Sequence, residues 1–231
     1  MRIMTYNIRL GIQQGLEPIA QIVRAAGADI VALQEVGCHW SMGPPGDTLA
    51  TLAVLSGLEH SVYAPALVVD QPGGGKERYG HGLLSRWPIS ASHIVKLAQI
   101  EDEPRVLLYS TVETSGGALK ILSTHLSHLP SDRPTHAGEL QRAGGLLAAE
   151  GVAAVIMGDL NESPEVEWVQ MLQRTWTDAD ATASRLTFPA PEPNVRIDYL
   201  FCQRGRWHDV EVIDEREASD HRAVVARLAL I

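Results

Sequence analysis

Short apolar runs of strand-like length recur along the whole chain, and they constrain its fold more than any other feature of the sequence. Such runs, bounded by Gly, Pro or polar residues, are typical of buried β-strands. They therefore predict a fold built around β-sheet. The runs are Ile3–Ile8, Asp29–Gln34, Ser61–Val69, Gly82–Ser85, Val106–Val112, Leu119–Thr124, Val152–Met157, Arg196–Phe201 and Ala223–Leu230.

Helical patterns lie between some of these runs. Apolar residues recur at helical spacing in Pro18–Ala26, Thr48–Leu55 and Glu139–Ala149. Ser163-Pro164 is typical of a helix start. In the middle of the chain, runs follow one another across turns such as Ser115-Gly116-Gly117, which predicts hairpins. The sequence is thus predicted to form a mixed α/β fold with antiparallel sheet in its central part.

No linker, repeat or low-complexity tract divides the 231 residues, so residues 1–231 are predicted to form one domain. Hydrophobic residues make up 45% of the chain, which is enough for a substantial core. No apolar run is long enough to cross a membrane. Strand-like sequence begins at Arg2 and leaves no room for a secretory leader, although a mature form with its leader removed would look the same.

The cysteines and the charge narrow the range of functions. Cys38 and Cys202 lack the spacing of a zinc site, and a reduced, cytoplasmic protein is expected. The net charge is −9 and no Lys/Arg run is present, so the basic footprint of most nucleic-acid-binding proteins is missing. This argues against long DNA or RNA as a partner, although metal-dependent sites are acid-rich and a bound cation can supply positive charge.

Polar side chains stand at the ends of several apolar runs, which is where α/β folds carry their chemistry. The most informative stretch is Gly158-Asp159-Leu160-Asn161, where an acid and an amide follow a buried-strand run. Asp198 lies inside such a run, where a charge is costly unless it is paired. The candidate site residues are Asn7, Glu35, His125, Asp159, Asn161, Asp198, Asp220 and His221.

These residue types form a chemically coherent set. Carboxylates and amides without cysteine suit a hard cation such as Mg²⁺ or Mn²⁺. The two histidines add acid–base capacity, and Asp198 can fix the tautomer of His221. The combination matches metal-assisted attack of water on phosphorus, whereas acyl transfer fits poorly because no Gly-x-Ser-x-Gly elbow is present.

Each residue also has a purely structural interpretation when it is taken alone. Asn7 suits a turn, Glu35 a helix cap and Asp220-His221 a surface turn. The Gly158 stretch suits any strand–turn–helix connection. Their occurrence together favours the chemical interpretation over the structural ones.

The motifs in their order along the chain resemble the endonuclease/exonuclease/phosphatase superfamily, which includes DNase I-like nucleases, abasic-site endonucleases, sphingomyelinases and inositol-polyphosphate phosphatases. The resemblance implies a four-layer α/β sandwich, in which two packed mixed β-sheets are flanked by helices. The motifs are Thr5-Tyr6-Asn7-Ile8, Leu33-Gln34-Glu35-Val36, Tyr79–Arg86, Ser123-Thr124-His125-Leu126, Gly158-Asp159-Leu160-Asn161, Arg196–Phe201 and Ser219-Asp220-His221-Arg222.

The resemblance also implies metal and water-activating roles. Glu35 is similar to the principal Mg²⁺ ligand of the family, with Asn7 beside it and Asp220 holding a second metal or a water. Asp159 and Asn161 are similar to the pair that positions the attacking water and the phosphate. The aspartate of that pair is a candidate general base.

Further roles concern the phosphate and the histidines. His221, oriented by Asp198, is implied to act as a base or as a clamp on the phosphoryl oxygens. His125 places the chain with the DNase I and sphingomyelinase branches. Lys76-Glu77-Arg78-Tyr79 resembles the DNase I segment whose glutamate orients that histidine, so Glu77 is assigned to His125. Arg105 is assigned to the phosphate, with a structural salt bridge as the alternative.

The implied activity is Mg²⁺-dependent hydrolysis of a phosphoester, with Mn²⁺ as an alternative metal. The substrate would be a small molecule, a lipid headgroup or a nucleotide. Two alternatives stay open at this stage: a DNA or RNA nuclease, and a non-catalytic binding protein that kept the fold. The substrate, the choice of monoester or diester and the oligomeric state are not indicated by the sequence.

Overall fold

The computed structural model describes residues 1–231, which form twelve strands and four helices. The strands are β1 (Arg2–Asn7), β2 (Ile30–Cys38), β3 (His60–Asp70), β4 (Lys76–Ser85), β5 (Ile89–Lys96), β6 (Val106–Thr114), β7 (Gly117–His125), β8 (Ala154–Asp159), β9 (Thr177–Asp178), β10 (Asp198–Gln203), β11 (Gly205–Val212) and β12 (Val224–Leu230). The helices are α1 (Leu16–Ala26), α2 (Thr48–Ser56), α3 (Arg133–Ala149) and α4 (Glu167–Thr175). None of these helices combines the length and apolar character that a membrane crossing needs.

The strands form two six-stranded sheets, both of them mixed. The first sheet has the order β11-β12-β1-β2-β4-β3, and the second has the order β5-β6-β7-β8-β10-β9. Only β1 with β2 and β7 with β8 run parallel. Because parallel strands end at the same edge of a sheet, residues that follow β1 and β2 meet, as do those that follow β7 and β8.

Three apolar cores separate the layers. One core lies between the sheets and contains Ile3 and Leu83 from the first sheet and Ile121 and Met157 from the second. A second core packs α1 and α2 on the outer face of the first sheet, and a third packs α3 and α4 on the outer face of the second. The predicted four-layer sandwich is therefore confirmed.

Local sequence explains where the helices begin and end. The apolar stripe of α1 that includes Ile19 and Val23 is buried, and Gly27 ends the helix in the left-handed conformation that glycine adopts at least cost. The Asp47 carboxylate caps α2 by accepting a hydrogen bond of 2.9 Å from the Ala50 amide. The Ser163-Pro164 pair lies just before α4, which begins at Glu167.

Two long strands, β5 and β11, lie outside the apolar runs of the sequence. Both are edge strands of their sheets and most of their residues are exposed or half-buried. An edge strand with so much exposed surface has no need of a continuous apolar run. Its sequence therefore carries little of the pattern from which strands are predicted.

Candidate active site

The end of β8 lies against the end of β7, and a glycine makes this approach possible. A Cβ atom on Gly158 would lie 2.0 Å from the Thr124 carbonyl oxygen, so no larger residue fits there. The register pairs Thr124 with Gly158 and His125 with Asp159. Gly158 therefore allows Asp159 to lie beside His125 on the neighbouring strand.

The Asp159 carboxylate is the centre of the site. Its Oδ2 atom accepts a hydrogen bond of 3.0 Å from Asn7 Nδ2 and lies 3.5 Å from His125 Nε2 and 3.7 Å from His221 Nε2. Its Oδ1 atom accepts a hydrogen bond of 2.8 Å from the Asn161 amide. The structure therefore brings together five of the predicted site residues from β1, β7, β8 and the loops after β8 and before β12.

His221 is held from two sides. Its Nδ1 atom lies 3.0 Å from Oδ2 of Asp198, which is fully buried and faces Asp159 across the β8–β10 pair. The ring of Phe188 packs against the imidazole with centroids 4.8 Å apart. A carboxylate on Nδ1 leaves Nε2 directed to its other neighbours, which is how such pairs fix a histidine tautomer.

The charges of this cluster shift one another strongly. Burial, followed by the negative charge of Asp198, raises the pKa of Asp159 above the usual range of an aspartate. Burial alone would lower the pKa of His221, but the carboxylates of Asp198 and Asp159 raise it to about 10. Burial, followed by the positive charge of Arg105, holds the pKa of His125 well below its ordinary value. One histidine is therefore stabilised as a cation and the other as the neutral ring.

Glu35 reaches the site from a bulge in β2. The register of β2 against β4 shifts between Leu33 and Val36, and Glu35 itself has a positive φ of 52°. Bulges of this kind redirect side chains near functional sites. The Oε1 atom of Glu35 accepts a hydrogen bond of 3.1 Å from Asn7 Nδ2, so a single amide bridges Glu35 and Asp159. Burial is the main cause that raises the pKa of Glu35.

The loop that carries Asp220 is joined to the end of β1. The preceding Ser219 donates a hydrogen bond of 2.7 Å from its hydroxyl to the Asn7 carbonyl oxygen, which joins the loop before β12 to the end of β1. Arg9 Nε lies 3.4 Å from Oδ2 of Asp220. A guanidinium therefore neutralises part of the charge of Asp220 at this edge of the site.

Arg105 is buried behind the site and is paired with acids. Its Nη2 atom lies 3.2 Å from Asp102 Oδ2 and 3.0 Å from Glu103 Oε1, whereas its Nε has no hydrogen-bond partner. The salt-bridge alternative is thus present in the structure. A direct phosphate contact stays a prediction. His81, which no sequence pattern assigned, is fully buried nearby, and burial lowers its pKa to about 4.

The structure does not support the pairing of Glu77 with His125. No hydrogen bond or ion pair joins the two residues, and the Oε2 atom of Glu77 instead accepts a hydrogen bond of 3.2 Å from the Ser41 amide. Glu77 pairs with Val69 near the outer end of the β3–β4 hairpin. Its carboxylate is therefore used to hold the loop between β2 and α2 rather than to orient the histidine.

The residues present fit a hard divalent cation. The candidate ligand atoms around Asn7 are the carboxylate oxygens of Glu35 and Asp159, and the amide oxygen of Asn7 itself accepts a hydrogen bond of 3.0 Å from a backbone amide. One buried carboxylate oxygen, Oδ1 of Asp198, has no hydrogen-bond partner. Ligand-type atoms of Asp159, Asp198 and His221 all lie within 4.8 Å of one another. Asp198 and His221 already hydrogen-bond each other, so part of this group of ligand-type atoms is engaged. The carboxylate of Glu35 is less engaged and is the better candidate metal ligand.

Comparison with known proteins agrees with this fold. The sequence profile of the Endonuclease/Exonuclease/phosphatase family matches residues 4–221. The chain belongs to this family. The match includes every candidate site residue from Asn7 to His221. No curated protein matches the chain.

Solved structures of the family share the fold over the whole chain. The endonuclease/exonuclease/phosphatase of Beutenbergia cavernae DSM 12333 is 26% identical, with a TM-score of 0.77 over 100% of this chain and 71% of that one. The mannosyl-6-phosphatase Bt3783 of Bacteroides thetaiotaomicron VPI-5482 is 19% identical, with a TM-score of 0.77 and full coverage of both chains. The human Nocturnin catalytic domain with a bound sulfate anion is 18% identical, with a TM-score of 0.74 over 100% of this chain and 94% of that one.

Proposed function

We propose that this member of the endonuclease/exonuclease/phosphatase family is a divalent-metal-dependent hydrolase of phosphoesters. The observation that carries the proposal is the position of one carboxylate oxygen, Oδ2 of Asp159, within 3.7 Å of Asn7, His125 and His221. An acid, an amide and two imidazoles that converge on one point can accept a proton from water and hold several phosphoryl oxygens at once. A purely structural acid at a strand end needs none of these neighbours.

The proposed roles follow from the contacts. The proton that leaves the attacking water is taken by the Asp159 carboxylate, whose Oδ2 atom lies 3.7 Å from Nε2 of the His221 imidazolium. Asp198 orients that imidazolium from its other side, at 3.0 Å from Nδ1. His125 and the side chain of Asn161 hold phosphoryl oxygens. Because these groups are already in place, little reorganisation is needed as charge develops in the transition state.

Glu35 and Asn7 are the proposed holders of Mg²⁺ or Mn²⁺, and Asp220 is available beside them. A bound cation of this type supplies Lewis-acid polarisation of the phosphoryl group and offsets charge on the leaving oxygen. The Asn7 amide joins the metal side of the site to Asp159, since its nitrogen contacts both Glu35 and Asp159.

The proposed substrate is a small phosphoester, either a phosphomonoester or a phosphodiester. The net charge of −9 and the absence of a basic run disfavour a long nucleic acid. Two structures with the same fold also support the proposal. One is a mannosyl-6-phosphatase, and the other is a catalytic domain that holds sulfate, an anion with the shape of phosphate. Nuclease activity is the alternative outcome of the test below.

The test is a hydrolysis panel of phosphomonoesters, phosphodiesters, plasmid DNA and single-stranded RNA with Mg²⁺, Mn²⁺ or EDTA. The wild type should hydrolyse at least one ester with either metal, and EDTA should abolish turnover. The His221→Ala variant should lose roughly 10²–10³ in rate. His208→Ala, which changes an exposed histidine on β11, is the matched control and should retain the wild-type rate. Turnover that persists in EDTA or in the His221 variant would contradict the proposal.

A further inference from the structure

Arg133, the first residue of α3, is an arginine whose side chain is only 15% exposed and whose contacts are mostly to backbone. Its Nη1 atom donates hydrogen bonds to the carbonyl oxygens of Asn161, at 2.7 Å, and His128, at 3.2 Å. Its Nε atom lies 3.1 Å from Oε2 of Glu162, at an angle that makes this an ion pair without a hydrogen bond. One guanidinium therefore contacts two loops that lie far apart in the sequence.

The two loops follow β7, which ends at His125, and β8, which ends at Asp159. Two further hydrogen bonds join them directly. The Leu126 amide donates to the Asp159 carbonyl oxygen at 3.0 Å, and Asn161 Nδ2 donates to the Leu126 carbonyl oxygen at 3.0 Å. Arg133 closes this set of contacts at the outer end, beyond Asn161 and His128.

The loop after β8 turns sharply at Asn161. This residue has a positive φ of 51°, in the left-handed region that asparagine tolerates better than most residues. The conformation places the Asn161 amide on Oδ1 of Asp159, at 2.8 Å. If the Asn161 carbonyl oxygen lost its partner, this amide and the carboxylate that it holds would be held less firmly, by the remaining contacts alone.

We propose that Arg133 is a positioning residue that holds the Asp159–Asn161 turn in register with His125. The inference rests on the proposed function, since the turn is the part of the site assigned to water and phosphate. Arg133 acts through the Asn161 carbonyl oxygen and the Glu162 carboxylate, and its Nη1 is already engaged by two carbonyl groups. It therefore alters the rate of the chemical step and leaves substrate affinity nearly unchanged.

The experiment compares kcat and KM of the wild type with those of Arg133→Ala, Arg133→Lys and Glu162→Gln, using the best ester of the panel. Arg133→Ala should lower kcat by roughly 10- to 100-fold at a KM within about twofold of the wild type, as expected for a residue that supports the groups in contact with substrate. Arg133→Lys should recover part of the rate, because an ammonium can replace Nη1 at the carbonyl oxygens but leaves no cationic nitrogen in the position of Nε beside Glu162. Glu162→Gln should lower kcat less than Arg133→Ala. Arg142→Ala, an exposed arginine on the same helix, is the matched control.

A second measurement is independent of catalysis. Hydrogen exchange followed by NMR should show a faster-exchanging Asn161 amide in Arg133→Ala than in the wild type and Arg142→Ala. A rise in KM with unchanged kcat would assign Arg133 to substrate binding and overturn the proposal. Wild-type kinetics together with an unchanged Asn161 exchange rate would overturn it as well. If the wild type hydrolyses nothing on the panel, the proposed function fails, whereas the exchange rate still decides whether Arg133 holds the turn.

Discussion

Two clusters of charged residues lie in or next to the segment between β9 and β10, and they differ in how their buried carboxylates are paired with cations. In the paired cluster, defined as Asp178, Asp180, Arg185 and Arg196, each acid meets a guanidinium. Arg196 Nη2 lies 2.5 Å from Asp178, and Arg185 Nη1 lies 2.8 Å from Asp180. Hydrogen bonds from Arg185 and Thr182, with the charge of Arg196, outweigh burial and lower the pKa of Asp180.

The site cluster, defined as Asp159, Asp198, His125 and His221, is not balanced in this way. Its two acids face each other across the β8–β10 pair, only His221 is stabilised as a cation, and the pKa of Asp159 is raised. Carboxylates left short of positive charge are typical of sites that bind cations or move protons, whereas fully paired carboxylates are typical of support. We therefore expect the acids of the paired cluster to stabilise the fold and the acids of the site cluster to bind a cation or transfer a proton.

The paired cluster also supports the site cluster. The segment that it anchors carries Phe188 to the face of His221. The Thr187 carbonyl oxygen accepts a hydrogen bond of 2.8 Å from the Arg222 amide. The guanidinium of Arg196 lies 4.4 Å from the ring centre of Tyr199, on the strand that begins with Asp198. Changes in the paired cluster should therefore act mainly on stability and only indirectly on rate, whereas changes in the site cluster should act mainly on rate.

The largest expected effect is on stability, from Arg196→Met in the paired cluster. The substitution leaves Asp178 buried beside no guanidinium, and removal of one partner of a buried pair costs about 3–5 kcal/mol. Urea unfolding should show this fall in the free energy of unfolding. Arg206→Met, which changes an exposed arginine on β11, is the control and should lie near the wild type. Equal unfolding midpoints for the two variants would remove the distinction between the clusters.

The next effect should be on rate alone, from Asp159→Asn. The variant should lose roughly 10²–10³ in kcat, or about 2.7–4 kcal/mol of transition-state stabilisation. Its free energy of unfolding in EDTA should equal or exceed that of the wild type, because the substitution removes a buried charge that lacks full pairing. Asp209→Asn, an exposed acid, should change neither quantity. A large loss of stability in Asp159→Asn would mean that Asp159 stabilises the fold in the same way as the acids of the paired cluster.

The grouping of the site cluster was largely predictable from the sequence, for a physical reason. Asp159 and His125 end apolar runs, so the parallel pairing of β7 with β8 places them side by side whatever the details of the loops. Asp198 was noticeable because a charge inside an apolar run needs a partner. The same runs predicted a mixed α/β fold, and the four-layer sandwich came from the family resemblance that the motif order carries.

What the sequence did not predict depends on backbone detail or on contacts with no pattern. The bulge that directs Glu35 rests on a left-handed residue that no glycine marks. Phe188 meets His221 only because the loop ahead of β10 folds back. Glu77 was assigned to His125 by resemblance, but the residue that its carboxylate contacts depends on the direction of the β3–β4 hairpin, and here that residue is Ser41. Arg133 contacts carbonyl oxygens, and every residue type presents one.

A smaller effect on rate should follow Phe188→Leu. The tilted packing of the ring on His221 restricts the imidazole, and an aromatic pair of this kind is worth about 0.5–1.5 kcal/mol, which corresponds to roughly 2- to 13-fold in rate. Tyr109→Leu removes a ring that stacks on His93 at 4.3 Å, remote from the site, and provides the matched control. Steady-state kinetics should show a lower kcat in the Phe188 variant only. Equal effects of the two variants would show that the ring contributes to general packing.

The smallest effect should be the response of the paired cluster to acid. Because the pKa of Asp180 is lowered in the folded state, its ionised form stabilises the protein above the unfolded value of about 3.8, and this contribution is lost as the pH falls through the folded value. The difference in free energy of unfolding between wild type and Asp180→Asn should therefore be constant from about pH 7 to pH 5 and should shrink below about pH 4. Urea unfolding at four pH values across this range measures it. A difference that keeps its full size at about pH 3 would mean that Asp180 stabilises the loop by shape and neutral hydrogen bonds, which would weaken the electrostatic contrast between the two clusters.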